Sequence, residues 1–169
     1  MTPESLPKLS PESLQLLGSL VTNQPLAALG VEQDGEPFVS MVPFSIEPKS
    51  RKIIIHVSQL AAHTRQMLAN PKVSLMVVAA STTNESVAGR SVTATPRVSI
   101  QCVATQLEAS SAEYQDAKRQ YVQRFPESLD LFDFLDFSLF AMTPTSARFI
   151  AGFAQAMTLS GASFEAALV

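Results

Sequence analysis

The spacing of apolar residues changes period several times along the chain, and each change predicts an element. Leu14, Leu17, Leu20 and Val21 recur at helical spacing, so a helix with one packed face is expected there. Ser10 stands where an N-cap is needed, Pro11 takes the first helical position, and Asn23-Gln24-Pro25 ends the run. From Leu26 the pattern shortens to strand-like runs over 26–32 and 37–44, separated by Asp34-Gly35. Two such runs about an Asp-Gly predict a β-hairpin. A third strand, 52–57, follows the turn formers of 47–51 and makes an antiparallel meander. The run 72–79 has the character of a central strand. Residues 80–96 are small, polar and rich in Ser and Thr, the composition of a loop. Clean alternation from Arg97 to Glu108 predicts a long strand with one polar face. Ser110 and Glu113 have capping-box spacing at the head of a helix that runs to about Phe125. The stretches 138–142 and 147–152 are expected to pair about Thr143-Pro144-Thr145-Ser146, with 153–160 extending the sheet.

One stretch organises the rest. Ile53-Ile54-Ile55-His56-Val57 is a β-branched apolar strand that runs through Ser58 into a helix over 59–69 carrying His63, Thr64 and Arg65. A strand-to-helix junction presents free backbone N–H groups, the positive end of a helix dipole and a hydroxyl to one point, which suits a phosphate monoester. Ser58 serves equally well as a plain helix cap, His63 as a helix-surface residue, and Arg97 as a strand-edge charge. His56, within an apolar strand, is expected in the core or at an interface. Asp133 and Asp136 are expected on an exposed helical turn, and Cys102 on the apolar face of its strand, buried and inert.

Composition narrows the class. The 169 residues suffice for one domain, 1–169, with 1–9 a flexible lead-in. Apolar residues make up 46% and charged residues 16%, a balance that suits an oligomer hiding part of its surface. A net charge of −3 and scattered Lys and Arg argue against a nucleic-acid partner. One cysteine allows no internal disulfide, so a reducing, cytoplasmic setting is expected. No signal sequence and no membrane-length apolar run stands out, so no membrane partner is expected. Two histidines and one cysteine offer no metal-ligand spacing, and no Gly-rich phosphate loop or nucleophile elbow is present.

The residues at 35–44, 58–65, 70–75, 96–100 and 148–153 together resemble the pyridoxamine 5′-phosphate oxidase-like, FMN-binding split β-barrels. The Ser-x-Leu-x-x-His-Thr pattern, the Arg-led strand, the aromatic-acidic 133–137 and the late Gly152-Phe153 resemble most the branch associated with haem utilisation. The resemblance spans 25–160. It implies a mainly β fold with flanking helices (α+β), a six- to seven-stranded antiparallel split β-barrel. It also implies a homodimer with FMN in a groove between subunits. Carried over, Ser58, His63 and Thr64 bind the flavin phosphate with Arg97 nearby, Ser40, Met41 and Val42 border the ring, and Val57 lines the site. The expected function is an FMN-dependent oxidoreductase acting on a small-molecule substrate; the alternative is a haem-binding, haem-utilisation protein or a flavin-binding module without turnover. Haem-degrading relatives commonly ligate iron through a C-terminal histidine, and here no histidine follows His63. No catalytic residue is singled out.

Overall fold

The computed structural model describes residues 9–80, 94–152 and 155–168. Helix α1 (Pro11–Asn23) is capped as expected, the Ser13 N–H donating to the Ser10 hydroxyl at 3.2 Å. It leads into β1 (Leu26–Gln33) and β2 (Glu36–Pro43), paired from Leu26↔Pro43 to Gln33↔Glu36. Asp34 and Gly35 both have positive φ, 54° and 84°. That is the conformation a two-residue hairpin turn requires, and Asp-Gly tolerates it at least cost.

A short β3 (Ser45–Ile46) and β4 (Ile53–Ser58) follow, then α2 (Ala62–Ala69), β5 (Lys72–Val78), β6 (Arg97–Gln106) and α3 (Ala112–Arg124). A 3-10 segment (Pro126–Asp133), the long β7 (Phe137–Gly152), β8 (Gln155–Ser160) and α4 (Gly161–Ala166) complete the described elements. The strands form one antiparallel sheet in the order β2-β1-β5-β6-β7-β4-β3, with β8 also on β7. Phe44 alone separates β2 from β3, so the chain turns back toward the far edge and the sheet curls into a split β-barrel.

The sheet has eight strands among the described residues, against the six or seven expected. Nor is there a hairpin at 143–146, because β7 runs unbroken through it. Pro144 is tolerated where β7 changes partner: β4 pairs with it only up to Met142, and β8 only from Ser146 onward. Its missing N–H therefore breaks neither ladder, and a bulge between Gln101 and Cys102 absorbs the local distortion on the β6 side. Gly161 packs against the same place, since a Cβ there would collide with the Pro144 carbonyl oxygen.

Two helix starts also differ from expectation. The cap of α3 is Ser111, which accepts from the Tyr114 N–H at 3.1 Å, one residue later than the Ser110 box. Helix α2 begins only at Ala62, and its N-cap residue, Ala61, offers no side-chain acceptor. Ser58 is thus the last residue of β4 and not a helix cap.

The unbroken apolar run of β4 has a simple cause: both of its faces are covered. Ile53, Ile55 and Val57 join Leu29, Leu75 and Phe149 in the barrel core, while Ile54 packs with Leu139, Ala117 and Tyr121 in a smaller cluster beneath α3. Burying each such isoleucine is worth about 1.5–3 kcal/mol. His56 lies on the α3 side, two residues before Ser58. The expected loop over 80–96 falls mostly outside the described residues.

A self-satisfied junction and an apolar lip

At the end of β4, Ser58 pairs with Phe137. Its hydroxyl accepts from the Leu60 N–H at 3.1 Å and donates to the Asp136 carboxylate at 2.8 Å. The Ser58 carbonyl accepts from the Ala61 N–H at 3.1 Å and the Thr64 hydroxyl at 2.7 Å. The Gln59 N–H donates to the Asp136 carbonyl at 2.5 Å. The hydroxyl of Ser58 and the Gln59, Leu60 and Ala61 N–H groups are therefore engaged within the junction, and a carboxylate stands against the hydroxyl that a phosphate would use. Thr64 is completely buried, its hydroxyl committed to bracing the turn.

His63 meets Ser40 of β2, with Nδ1 3.0 Å from the Ser40 Oγ. Its Nε2 is sealed from solvent and has no hydrogen-bond partner, and burial holds its pKa below the usual imidazole value. A neutral ring follows at neutral pH. Along β2, Ser40 and Val42 lie on the inward side and Val42 is buried, while Met41 is 60% exposed on the outer face of the sheet. Val57 is buried in the barrel.

Arg97 opens β6 opposite Ile150, whereas Ser58 lies opposite Phe137, thirteen residues away along β7. At ~3.3 Å per residue that is about 40 Å of strand path. Its guanidinium donates to the Thr95 carbonyl at 3.0 Å. Within one chain, then, the structure brings Ser58 to Thr64 and Ser40 to His63, and leaves Arg97 at the other end of β7.

Asp136 belongs to the junction, and the sequence gives little sign of it. It lies beyond the 3-10 segment and not on an exposed helical turn, while Asp133 closes that segment on the surface. Beside it the Gln59 and Gln106 amides both donate to the Ser138 hydroxyl, at 3.1 and 3.0 Å. Ser138 and Gln106 also line a cavity of about 260 Å³ walled by Leu107, Tyr114, Phe137 and Leu139. Three apolar side chains flank the junction in solvent: Leu60 at 75% exposure, Phe134 at 56% and Leu135 at 98%. Leu60 is two residues from Ser58, Leu135 is next to Asp136 and Phe134 is two residues before it, so the three stand beside the bonded Ser58–Asp136 pair.

Behind the junction, the His56 ring stacks on Phe132, centroids 3.8 Å apart and 6° from parallel, with Tyr121 edge-on at 5.8 Å. The Lys118 ammonium lies 4.6 Å from the Phe132 centroid. The His56 Nδ1 is buried without a partner, and burial with the nearby Lys118 charge pushes its pKa down to about 4. Cys102 is buried as expected, and burial pushes its thiol up to about 12. Among the described residues no group of three or more His, Cys, Asp and Glu is arranged to hold a metal ion. No described helix is long and apolar enough to cross a membrane.

The outer face of the sheet carries a second feature. Met41, Ala28, Met76, Ser99, Arg148 and Thr158 form one row across six strands. Val39, Met76 and Val78 are exposed on this face.

An antiparallel split barrel with flanking helices and a strand-to-helix site at one edge is the class this architecture defines. The family model described as pyridoxamine 5′-phosphate oxidase matches residues 18–151, and the chain belongs to that family. It is 32% identical over 132 residues to the haem oxygenase HutZ of Vibrio cholerae serotype O1, covering 78% of this chain and 71% of that protein. It is 30% identical over 136 residues to the chloroplastic non-canonical haem oxygenase HOZ of Arabidopsis thaliana, covering 80% of this chain but 38% of that protein. A haem-binding protein structure from Mycobacterium smegmatis superposes with a TM-score of 0.79 at 20% identity, over 94% of this chain and 62% of that one. The chain thus spans well under half of the chloroplastic relative and about three fifths of the mycobacterial protein. Within the family it stands near the haem-utilisation branch.

Proposed function

We propose that this chain is a haem-handling protein that binds haem at the Ser58 to Asp136 edge of the barrel. The observation that carries the reading is the set of exposed apolar side chains, Leu60, Phe134 and Leu135, beside a junction whose serine hydroxyl already donates to a carboxylate. A large, flat, apolar ring gains from such side chains, whereas a phosphate ester gains nothing from a hydroxyl that is spent. The names of the similar proteins support the same choice. Leu60, Phe134 and Leu135 would hold the porphyrin by apolar contact, and the bound iron would supply any redox chemistry. Both orphaned imidazole nitrogens, His56 Nδ1 and His63 Nε2, are sealed from solvent, so ligation by either requires its cover to move.

A second reading, an FMN-dependent oxidoreductase with a separate small-molecule substrate, is favoured by the family match over 18–151. Its phosphate would need Ser58 and His63, and the first of these is engaged by Asp136. In either reading the chain acts as a homodimer through the outer sheet face, which presents Val39, Met76 and Val78 in a chain of low charge content. A monomeric mass in solution would remove that part of the proposal.

Titration of the purified protein with hemin, followed by visible absorption, tests the main reading. A saturable Soret shift at one equivalent is expected, weakened several-fold by Leu135→Ser. That substitution removes an apolar contact at a site so exposed that folding stability changes by less than about 0.5 kcal/mol. Hemin uptake that never saturates, or that ignores Leu135, would overturn it. A flavin spectrum in the protein as isolated would favour the second reading.

A further inference from the structure

We infer that Asp136 is a specificity-determining residue that closes the Ser58 junction to phosphate monoesters. The inference rests on the reading that this junction borders the ligand site, and it concerns what that site refuses.

Ser58 has one hydroxyl proton, and it is directed at the Asp136 Oδ2 at 2.8 Å. The oxygen's acceptor side takes the Leu60 N–H. Of the neighbouring donors, the Gln59 N–H goes to the Asp136 carbonyl, and the Ala61 N–H and Thr64 hydroxyl go to the Ser58 carbonyl. The Arg65 guanidinium donates to the Leu60 carbonyl at 2.8 Å through one of its N–H groups. At the serine hydroxyl, an incoming phosphate would meet a bound carboxylate in place of a free donor.

A phosphate monoester carries about −1.5 to −2 charges at neutral pH, and a carboxylate a hydrogen bond away repels it. The backbone of Asp136 is fixed beside Ser58, its carbonyl bonded by the Gln59 N–H and its neighbour Phe137 already in the β4–β7 ladder. The chain has therefore set a carboxylate of its own on the serine hydroxyl of the strand-to-helix junction. A ligand held mainly by apolar area loses less by this than one held by its phosphate.

Riboflavin and FMN share the ring and differ in the phosphate, so their affinity ratio isolates the effect. Flavin-fluorescence titrations of the wild-type chain should show FMN bound no more tightly than riboflavin. Asp136→Asn and Asp136→Ser should raise FMN affinity on the order of tenfold while leaving riboflavin unchanged, as removal of one like charge near a phosphate predicts. Tighter FMN than riboflavin binding by the wild type would overturn the inference without need of any variant. An unchanged FMN affinity in well-folded Asp136→Asn would overturn it too, including the case in which no flavin binds at all. Hemin titration of the same samples separates the two ideas: loss of hemin binding by the wild type counts against the haem reading and leaves the flavin ratio interpretable.

Discussion

The two histidines of the chain stand seven residues apart on either side of the Ser58 turn, and each buries a ring nitrogen that no partner satisfies. Their surroundings differ. His56 is clamped by rings, with Phe132 parallel to it and Tyr121 edge-on, and the Lys118 charge close enough to oppose its protonation. His63 is held by one hydroxyl from β2 and has burial alone lowering its pKa. One histidine is locked by packing and the other by a single hydrogen bond across two elements. The difference teaches how each ring is held: the 3-10 segment is fastened to β4 through aromatic surface around His56, whereas α2, anchored in the core by Met67 and Thr64, reaches the edge strand β2 at His63 through a contact of small worth.

Removing the stacking partner breaks the comparison most strongly. Phe132→Ala strips His56 of its parallel ring and Lys118 of its cation–π partner. Chemical denaturation should show a loss of about 2–4 kcal/mol, below the cost of a fully buried phenylalanine because Phe132 is partly exposed. A loss under about 1 kcal/mol would mean that the clamp is incidental.

The second test uses protons. His56 has its pKa lowered from 6.5 to about 4, so between those values the unfolded chain binds more protons than the folded one. Stability from this group is complete above pH 6.5 and is lost as pH falls toward 4. With solvent screening taken into account the loss is on the order of 2 kcal/mol. His56→Phe should flatten that part of the stability-versus-pH curve, and an unaltered curve would contradict the assignment of the slope to His56.

The smallest effect belongs to His63. Ser40→Ala should cost only about 1 kcal/mol in stability. It should nonetheless shift the Nδ1 resonance in nitrogen NMR of the imidazole, because the hydroxyl beside that atom is gone. An unmoved Nδ1 signal would show that the two groups do not interact in solution.

The parts of the fold legible in the sequence were those fixed by local rules. Asp34-Gly35 specified its turn through a φ requirement, Ser10 and Pro11 specified a helix start, and alternation specified β6. The burial of β4 was legible as an unbroken apolar run. What local rules could not supply was pairing. Pro144 looks like a turn former until it is known that two strands share the same edge of β7 and leave a gap there. Asp136 becomes a partner of Ser58 only through the register of β4 on β7, which no spacing within either segment encodes. For the same reason Arg97 could be grouped with Ser58 on sequence, although pairing puts them at opposite ends of one strand.

That strand has a mechanical meaning. β7 holds β6 along one edge and β4 followed by β8 along the other, so three ladders hang on a single backbone. Fraying at β2 or at α1 leaves those ladders intact, whereas pulling β7 free dissolves both halves of the barrel at once. The central amides of β7 are therefore expected to exchange with solvent only when all three ladders open together, which amide hydrogen exchange would read directly.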